Sequence, residues 1–208
     1  MVADLTFYTN PQSRGQIVRW MLEEVGAPYD TEYLGYGGTM KAEPYLSINP
    51  MGKVPAIRHS GKVVTEVAAI CTYLADAFPE AGLAPPPADR ADYYRFLFFA
   101  AGPLEQAFSL KAVDFTPPPE RRAMFGHGCW EDAIGGIERM LGDREFITGR
   151  FSAADLYVSS QLGFMLMFGM LEPRPSFSAY VARCTDRDAY RRAKQLDEQA
   201  AEELKAQA

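Results

Sequence analysis

Three short segments in the first third of the chain carry groups suited to holding an anionic, peptide-like ligand. Ser13 lies at a predicted helix start beside Arg14, where a hydroxyl, a cation and the helix dipole would stabilise an anion such as a thiolate. Glu66 and Val67 begin another predicted helix, whose free N–H groups suit a carboxylate. The Glu66 side chain could hold an ammonium group beside it. An α-amino acid presents both of these groups together.

The third segment is the Val54-Pro55 step, which lies at the start of a predicted strand. A proline there has either a trans bond at a sheet edge or a cis bond in a tight turn. With a cis bond, the Val54 N–H and C=O would face outward and pair antiparallel with an extended peptide. Each segment also has a plainer interpretation, since Ser13 and Glu66 could simply cap their helices. The residues alone leave these alternatives open.

Composition excludes several classes of function. The 208 residues carry a net charge of −6, so no general basic field is present to draw nucleic acid or an anionic membrane. No stretch approaches the roughly 20 apolar residues that span a bilayer, and no signal segment is recognised at the amino terminus. These features predict a cytoplasmic protein without a nucleic-acid or membrane partner.

The cysteines and histidines show no spacing that indicates chemistry. Cys71, Cys129 and Cys184 are far apart and form neither a CxxC motif nor a Cys/His metal pattern. They are predicted to be small core residues in helices, in a reducing compartment. His59 and His127 have no second ligand at metal or triad spacing and are predicted to lie on the surface. No metal site is therefore expected.

The apolar patterns predict two domains with different architectures. The first, residues 1–79, has the order βα, βα, ββα, with strands at 5–9, 29–34, 53–57 and 62–65. A proline-rich linker is predicted at 80–88. In the second domain, residues 89–208, every sizeable apolar pattern has helical period. Its helices are predicted at 89–113, 120–141 and 153–168, with shorter ones from Ser176 and Asp186.

Several motifs of this chain, taken together, closely resemble the glutathione transferase family. In the amino-terminal domain they are Tyr8 with Ser13-Arg14-Gly15, NPMGKVP at 49–55 and TEVAAICTYL at 65–74. GRFSAADL at 149–156 resembles the capping box of the family's helical domain. The resemblance implies a thioredoxin-like α/β domain (βαβαββα) followed by an all-helical, all-α domain. It also implies a cytosolic homodimer of the bacterial, serine (theta-like) or beta-like type, with glutathione as co-substrate.

The resemblance also implies roles for the residues of the first domain. Lys53, Val54 and Pro55 would hold the cysteinyl part of glutathione, with the Val-Pro bond cis, and Glu66 and Val67 would meet the γ-glutamyl group. The family most often has a serine where this chain has Val67. The missing hydroxyl removes one hydrogen bond to a charged group. Such a bond contributes on the order of 1.5 to 3 kcal/mol at most to the binding free energy.

Two hydroxyls compete for the catalytic role that the resemblance implies. Ser13 matches the serine or cysteine of theta-like and beta-like classes, and Tyr8 matches the tyrosine of other classes in spacing, while Arg14 could also reach the sulfur. Ser13 is preferred because its hydroxyl and the helix N-terminus act at one point. It would donate a hydrogen bond to the glutathione sulfur and so favour the thiolate. Lowering a thiol pKa from about 8.5 by about two units needs only about 2.7 kcal/mol.

The expected activity is transfer of the glutathione thiolate to a small hydrophobic electrophile, an alkyl or aryl transfer typical of detoxification. Phe108, Phe115 and Phe125 are candidate walls of the electrophile pocket, although rings at helical spacing are more often core. The alternatives are a glutathione-dependent peroxidase, isomerase or dehalogenase, and a non-catalytic binding or regulatory member of the family. A reductase using its own cysteines is disfavoured, because no cysteine lies near Ser13.

Overall fold

The chain folds into two compact units. A computed structural model describes residues 4–206. Unit 1 contains the described residues up to Gly82 together with those from Arg187 onward, and unit 2 is Leu83–Asp186. No helix within residues 4–206 is long and apolar enough to cross a membrane.

The amino-terminal part of unit 1 has the predicted order of elements. Its strands and helices are β1 (Leu5–Thr9), α1 (Gly15–Val25), β2 (Asp30–Tyr33), β3 (Ala56–His59), β4 (Lys62–Thr65) and α2 (Val67–Ala77). The short helix predicted around 41–47 is replaced by two 3₁₀ turns, Thr39–Lys41 and Tyr45–Ser47. The thioredoxin-like fold class predicted for this domain is confirmed by the four-stranded sheet and its helices.

Packing in this part of unit 1 follows from the helical spacing of apolar residues. Val18, Met21 and Leu22 of α1 are fully buried, as the period of 3.6 requires. Ile70 and Leu74 of α2 are buried in the same way. Burying each such side chain contributes about 1.5 to 3 kcal/mol, which fixes both helices against the sheet.

The sheet has the strand order β2-β1-β3-β4, with β1 parallel to β2 and antiparallel to β3, and β3 antiparallel to β4. In this register Tyr8 pairs with Ala56, and Ala56 pairs with Thr65. The end of β1, the start of β3 and the end of β4 therefore lie side by side at one end of the sheet. We call this end of the sheet, which the row Tyr8–Ala56–Thr65 crosses, the 8–56–65 edge.

Unit 2 is helical throughout, as predicted for the second half of the chain. Its helices are α3 (Ala91–Phe99), α4 (Glu105–Ala112), α5 (Trp130–Leu141), α6 (Ala153–Met167) and α7 (Pro175–Thr185). The helix predicted at 89–113 is interrupted by a π-helical stretch, Ala100–Leu104, which contains Pro103. Proline lacks the backbone N–H that a regular turn would use, so the hydrogen-bond pattern changes there. The helix predicted at 120–141 begins only at Trp130.

The capping box predicted at the start of α6 is confirmed. The Ser152 N–H and hydroxyl donate to Asp155 Oδ2 at 3.0 and 2.8 Å. Asp155 Oδ1 also accepts from the Ile147 N–H at 2.8 Å and the Tyr180 hydroxyl at 2.9 Å. The buried carboxylate thus joins α6, α7 and the preceding loop, which explains why it tolerates complete burial.

The last helix, α8 (Asp188–Ala206), belongs to unit 1 rather than to the helical unit. The sequence interpretation placed residues 89–208 together because all their patterns are helical. Trp20 of α1 packs edge-on against Tyr190, with ring centroids 4.9 Å apart, and the Glu24 carboxylate pairs with the Arg187 guanidinium. Helical period alone does not reveal which partner a helix packs against.

Candidate functional site

Three predicted segments meet at the 8–56–65 edge. Ser13 follows β1, the Val54–Pro55 step precedes β3, and Glu66 follows β4. Because β3 runs antiparallel to both of its neighbours, all three segments leave the sheet at the same end. Neighbouring strands lie about 4.8 Å apart, so the register places the three segments within reach of one small ligand.

The turn before α1 holds the Ser13 hydroxyl. Its Oγ donates to the Asn10 carbonyl at 2.7 Å and accepts the Gly15 N–H at 2.9 Å. Asn10 is itself fixed, because its Nδ2 donates to the Leu34 carbonyl at 2.8 Å and its Oδ1 accepts the Gln12 N–H at 3.0 Å. Ser13 therefore lies just ahead of the first helical turn. A hydroxyl hydrogen can rotate from the Asn10 carbonyl towards another acceptor.

The Val54–Pro55 peptide bond is cis, one of the two alternatives left open by the sequence. The preceding carbonyl, that of Lys53, accepts hydrogen bonds from the Tyr45 hydroxyl at 2.5 Å and Asn49 Nδ2 at 2.8 Å. Among residues 4–206, no hydrogen bond engages the backbone N–H or C=O of Val54. These two groups are therefore available to an extended peptide.

Glu66 has a backbone conformation that non-glycine residues rarely adopt, with φ 68° and ψ 126°. Such conformations cost about 1 to 3 kcal/mol and cluster at ligand sites. The Glu66 side chain makes no capping hydrogen bond to α2, so the plainer interpretation as a helix cap is wrong. The helical bonds begin with the Ile70 N–H on the Glu66 carbonyl at 2.8 Å, which leaves the Val67 and Ala68 N–H groups without a helical acceptor.

Comparisons with known proteins show which sequences and folds the chain resembles. The family model for the glutathione S-transferase N-terminal domain matches residues 13–77. A solved sphingomonad glutathione S-transferase complexed with glutathione has 27% sequence identity and a TM-score of 0.76, covering 93% of this chain and 98% of that chain. Residues 13–77 thus belong to the glutathione S-transferase N-terminal domain family, and the chain shares its fold with solved glutathione transferases.

Two curated relatives extend the comparison. Protein LigF of a Sphingobium species is 58% identical over 126 residues, which span 49% of this chain and 47% of LigF. The match thus covers about half the length of that relative. Maleylacetoacetate isomerase of Pseudomonas aeruginosa is 28% identical over 141 residues, 64% of this chain and 66% of the isomerase.

Tyr8 lies in a more buried position than Ser13. Only 2% of Tyr8 is exposed, and it belongs to a buried cluster with Leu34, Met40, Tyr45 and Ala56, against which Val54 packs. Burial raises the pKa of Tyr8, and the nearby Arg58 guanidinium opposes that rise in part. The ring centroids of Tyr8 and Tyr45 are 5.6 Å apart, and burial raises the pKa of Tyr45 to about 12. Both phenols are therefore neutral at physiological pH.

The aromatic residues named for the electrophile pocket lie in unit 2. Phe108 is buried and stacks on Phe168, with centroids 6.5 Å apart and ring planes at 20°. The ring centroids of Phe115 and Phe125 are 6.1 Å apart. Phe168 is 60% exposed and also lies 6.5 Å from the Phe164 ring. Phe164 and Phe168 were not predicted as pocket residues, because the sequence at the end of α6 has the pattern of an ordinary apolar helix.

The cysteines and His127 are buried in the folded chain. All three cysteines are buried and free, and burial raises the pKa of Cys71 and Cys184 to about 12. The surface position predicted for His127 is wrong: it is buried, with its Nδ1 3.0 Å from Gln106 Oε1, and burial lowers its pKa. His59 is half-buried rather than on the surface. Residues 4–206 contain no group of three or more His, Cys, Asp or Glu side chains that could hold a metal.

Asn10, Tyr45 and Asn49 are the residues of the site that sequence reasoning missed. Tyr45 and Asn49 donate side-chain hydrogen bonds to the Lys53 carbonyl next to Val54, and Asn10 donates to the Leu34 carbonyl and so holds the turn before Ser13. Asn10 and Asn49 both precede a proline, and an Asn-Pro pair commonly begins a turn. That signal was present for both asparagines, whereas nothing in the local sequence marks Tyr45, which reaches Lys53 only through the folded loop.

Proposed function

We propose that this protein is a glutathione transferase that binds glutathione along the 8–56–65 edge and conjugates its thiolate to a small hydrophobic electrophile. The observation that carries the proposal is the strand register, in which the free backbone groups of Val54 and the start of α2 lie at the same edge as Ser13. The Val54 N–H and C=O pair with the cysteinyl residue. The Val67 N–H donates to the γ-glutamyl carboxylate and Glu66 holds the ammonium, with Lys53 and Pro55 completing the contact.

Ser13 stabilises the thiolate in this proposal. Its hydroxyl hydrogen turns from the Asn10 carbonyl to the sulfur, while the Gly15 N–H keeps Oγ in place. The hydrogen bond given up contributes about 1 kcal/mol, and one to a thiolate contributes about 1.5 to 3 kcal/mol, so the exchange is favourable. Arg14 adds positive charge beside the sulfur. Tyr8 is the alternative donor, but its burial favours a supporting role beneath Val54.

The chemical step forms a sulfur–carbon bond. The thiol proton leaves to solvent as glutathione ionises, and the thiolate then attacks an electrophilic carbon whose leaving group departs with the bonding electron pair. Phe108, Phe115 and Phe125 remain the proposed walls for the apolar part of that electrophile. The homodimer expected from the family stays a prediction, which light scattering of the purified protein tests.

A glutathione-dependent isomerase is the second candidate, favoured by the similarity to the Pseudomonas aeruginosa isomerase. There the thiolate would add to a carbon–carbon double bond, rotation would follow, and elimination would release glutathione unchanged. The two candidates differ in mass balance, since a transferase consumes glutathione and an isomerase returns it. Mass spectrometry of the products separates them.

The direct test titrates glutathione into the wild type, Ser13→Ala and Tyr8→Phe by calorimetry and measures the ultraviolet absorbance of bound thiolate against pH. We expect Ser13→Ala to raise the apparent pKa of the bound thiol by about two units, towards the free value of about 8.5. Tyr8→Phe, which also removes one hydroxyl, is expected to leave it unchanged.

The other outcomes are equally informative. Loss of the thiolate signal only in Tyr8→Phe would transfer the catalytic role to Tyr8. Failure of the wild type to bind glutathione would contradict the proposal and favour a non-catalytic binding or regulatory protein. A thermal melt of each variant confirms that the fold is retained.

A further inference from the structure

A groove in unit 2 has no part in the proposed chemistry. It lies where α3, α5 and the turn after α5 meet, and its volume is about 470 Å³. Five residues line it: Arg95, Gly136, Arg139, Met140 and Arg144. Three arginines at one groove stand out in a chain whose net charge is −6.

The positive charge of this groove is only partly neutralised. Arg144 Nη2 lies 3.2 Å from Asp92 Oδ2, and Arg95 Nη1 lies 3.8 Å from the other oxygen of the same carboxylate. Within residues 4–206, Arg139 forms no ion pair with a carboxylate. Arg95 and Arg144 thus share one carboxylate, and together with Arg139 they leave an excess of two positive charges.

The groove also has a defined shape. The Arg144 guanidinium donates to the Met140 carbonyl and lies 5.9 Å from the centre of the Phe96 ring, so it is held in place. Gly135 and Gly136 lie in the interior of α5, where glycine is less favourable than alanine. A Cβ on Gly135 would lie 3.1 Å from Arg139 Nη1. The bare helix surface therefore gives the Arg139 side chain room beside the groove.

We propose that this groove binds a small anion carrying two or more negative charges, such as a phosphorylated or polycarboxylate metabolite. Guanidinium groups form paired hydrogen bonds with two oxygens of a phosphate or carboxylate, and Arg139 and Arg95 are exposed and able to do so. Ligand pockets commonly have volumes of about 300 to 1,000 Å³, a range that suits such a molecule. The inference concerns unit 2 alone and does not depend on the proposed glutathione chemistry.

The test uses pyrophosphate as the probe, titrated by calorimetry into the full-length protein at constant ionic strength. We expect saturable binding that weakens at least about tenfold in Arg139→Gln, and further in the Arg95→Gln/Arg139→Gln double variant. Arg121→Gln is the matched control, because Arg121 is also exposed and the charge change is the same. Ser13→Ala is the control for the sheet-edge site, and both controls are expected to retain wild-type affinity.

Three results would overturn the proposal. One is the absence of a saturable heat at millimolar pyrophosphate, and another is equal affinity in Arg139→Gln and Arg121→Gln, which would indicate non-specific attraction. The third is weakening in Ser13→Ala without weakening in Arg139→Gln, because the anion would then occupy the sheet-edge site. Melting temperatures of the variants without pyrophosphate show whether a lost signal reflects unfolding.

Discussion

Val67 illustrates how one side chain can tune a site whose backbone is already in place. Its N–H lies at the start of α2, where no helical acceptor is present, but its side chain offers no hydroxyl. The Val67 side chain is buried, so replacing it affects packing as well as hydrogen bonding. A substitution that adds the hydroxyl without changing the shape separates the two effects.

Val67→Thr is expected to strengthen glutathione binding by about tenfold, because the added hydroxyl can donate to the γ-glutamyl carboxylate. Calorimetric titration measures the change. Val67→Ala is the control, since it removes the methyl groups without adding a donor, and its affinity is expected to be no higher than that of the wild type. Unchanged or weaker binding in Val67→Thr would show that the carboxylate does not lie at this position.

At the scale of elements, the junction between β1 and α1 controls where Ser13 stands. A Cβ on Gly15 would lie 1.9 Å from Thr9 Oγ1 and 2.9 Å from Ser13 Oγ. Thr9 is completely buried, and its branched side chain has few alternative rotamers. Only glycine allows the helix to begin this close to the strand that precedes it.

Gly15→Ala is expected to lower the free energy of unfolding by about 1 to 3 kcal/mol, because the junction must shift to admit the methyl group. Urea denaturation measures this loss, and the thiolate titration should show a raised thiol pKa. Gly35→Ala is the matched control, since a Cβ there meets nothing within 4 Å. Its effect is expected to stay within about 0.5 kcal/mol. Equal stability of the two variants would argue against a steric role for Gly15.

At the scale of the whole molecule, the last helix stabilises the first domain. Arg19 of α1 is buried and its Nε donates to Asp197 Oδ1 of α8 at 3.2 Å. Arg19 also donates to the hydroxyls of Tyr29 at 3.1 Å, Thr31 at 2.9 Å and Tyr33 at 2.9 Å. Arg19 and Asp197 are 178 positions apart, so the network closes only after both ends of the chain have folded.

Asp197→Ala is expected to reduce the free energy of unfolding by about 3 kcal/mol, because it leaves the buried Arg19 guanidinium without its carboxylate. The reduction is read from urea denaturation. Glu198→Ala is the control on the same helix: its pair with Lys194, 3.7 Å apart, is exposed and is expected to contribute less than about 0.5 kcal/mol. Similar losses in the two variants would show that the buried pair does not hold α8 in place.

The local features of the fold and site could be predicted because they depend on short stretches of chain. The apolar period of α1, the strand β4 and the capping box of Ser152 and Asp155 are contacts within a few residues, and all are confirmed. Boundaries were less accurate, since β3 begins at Ala56 rather than at 53 and α5 begins at Trp130. The functional roles of Ser13, Tyr8 and Glu66 stay predictions.

The sequence by itself determined the order of elements, the two kinds of architecture and the segments that meet at the 8–56–65 edge, because periodicity and turn residues act locally. Tertiary structure decided that α8 packs on α1, that Tyr8 is buried, and that Asn10, Tyr45 and Asn49 hold the backbone of the site. It also decided that three arginines share one groove. Each of these depends on which surfaces the folded chain brings together, a property that no local pattern encodes.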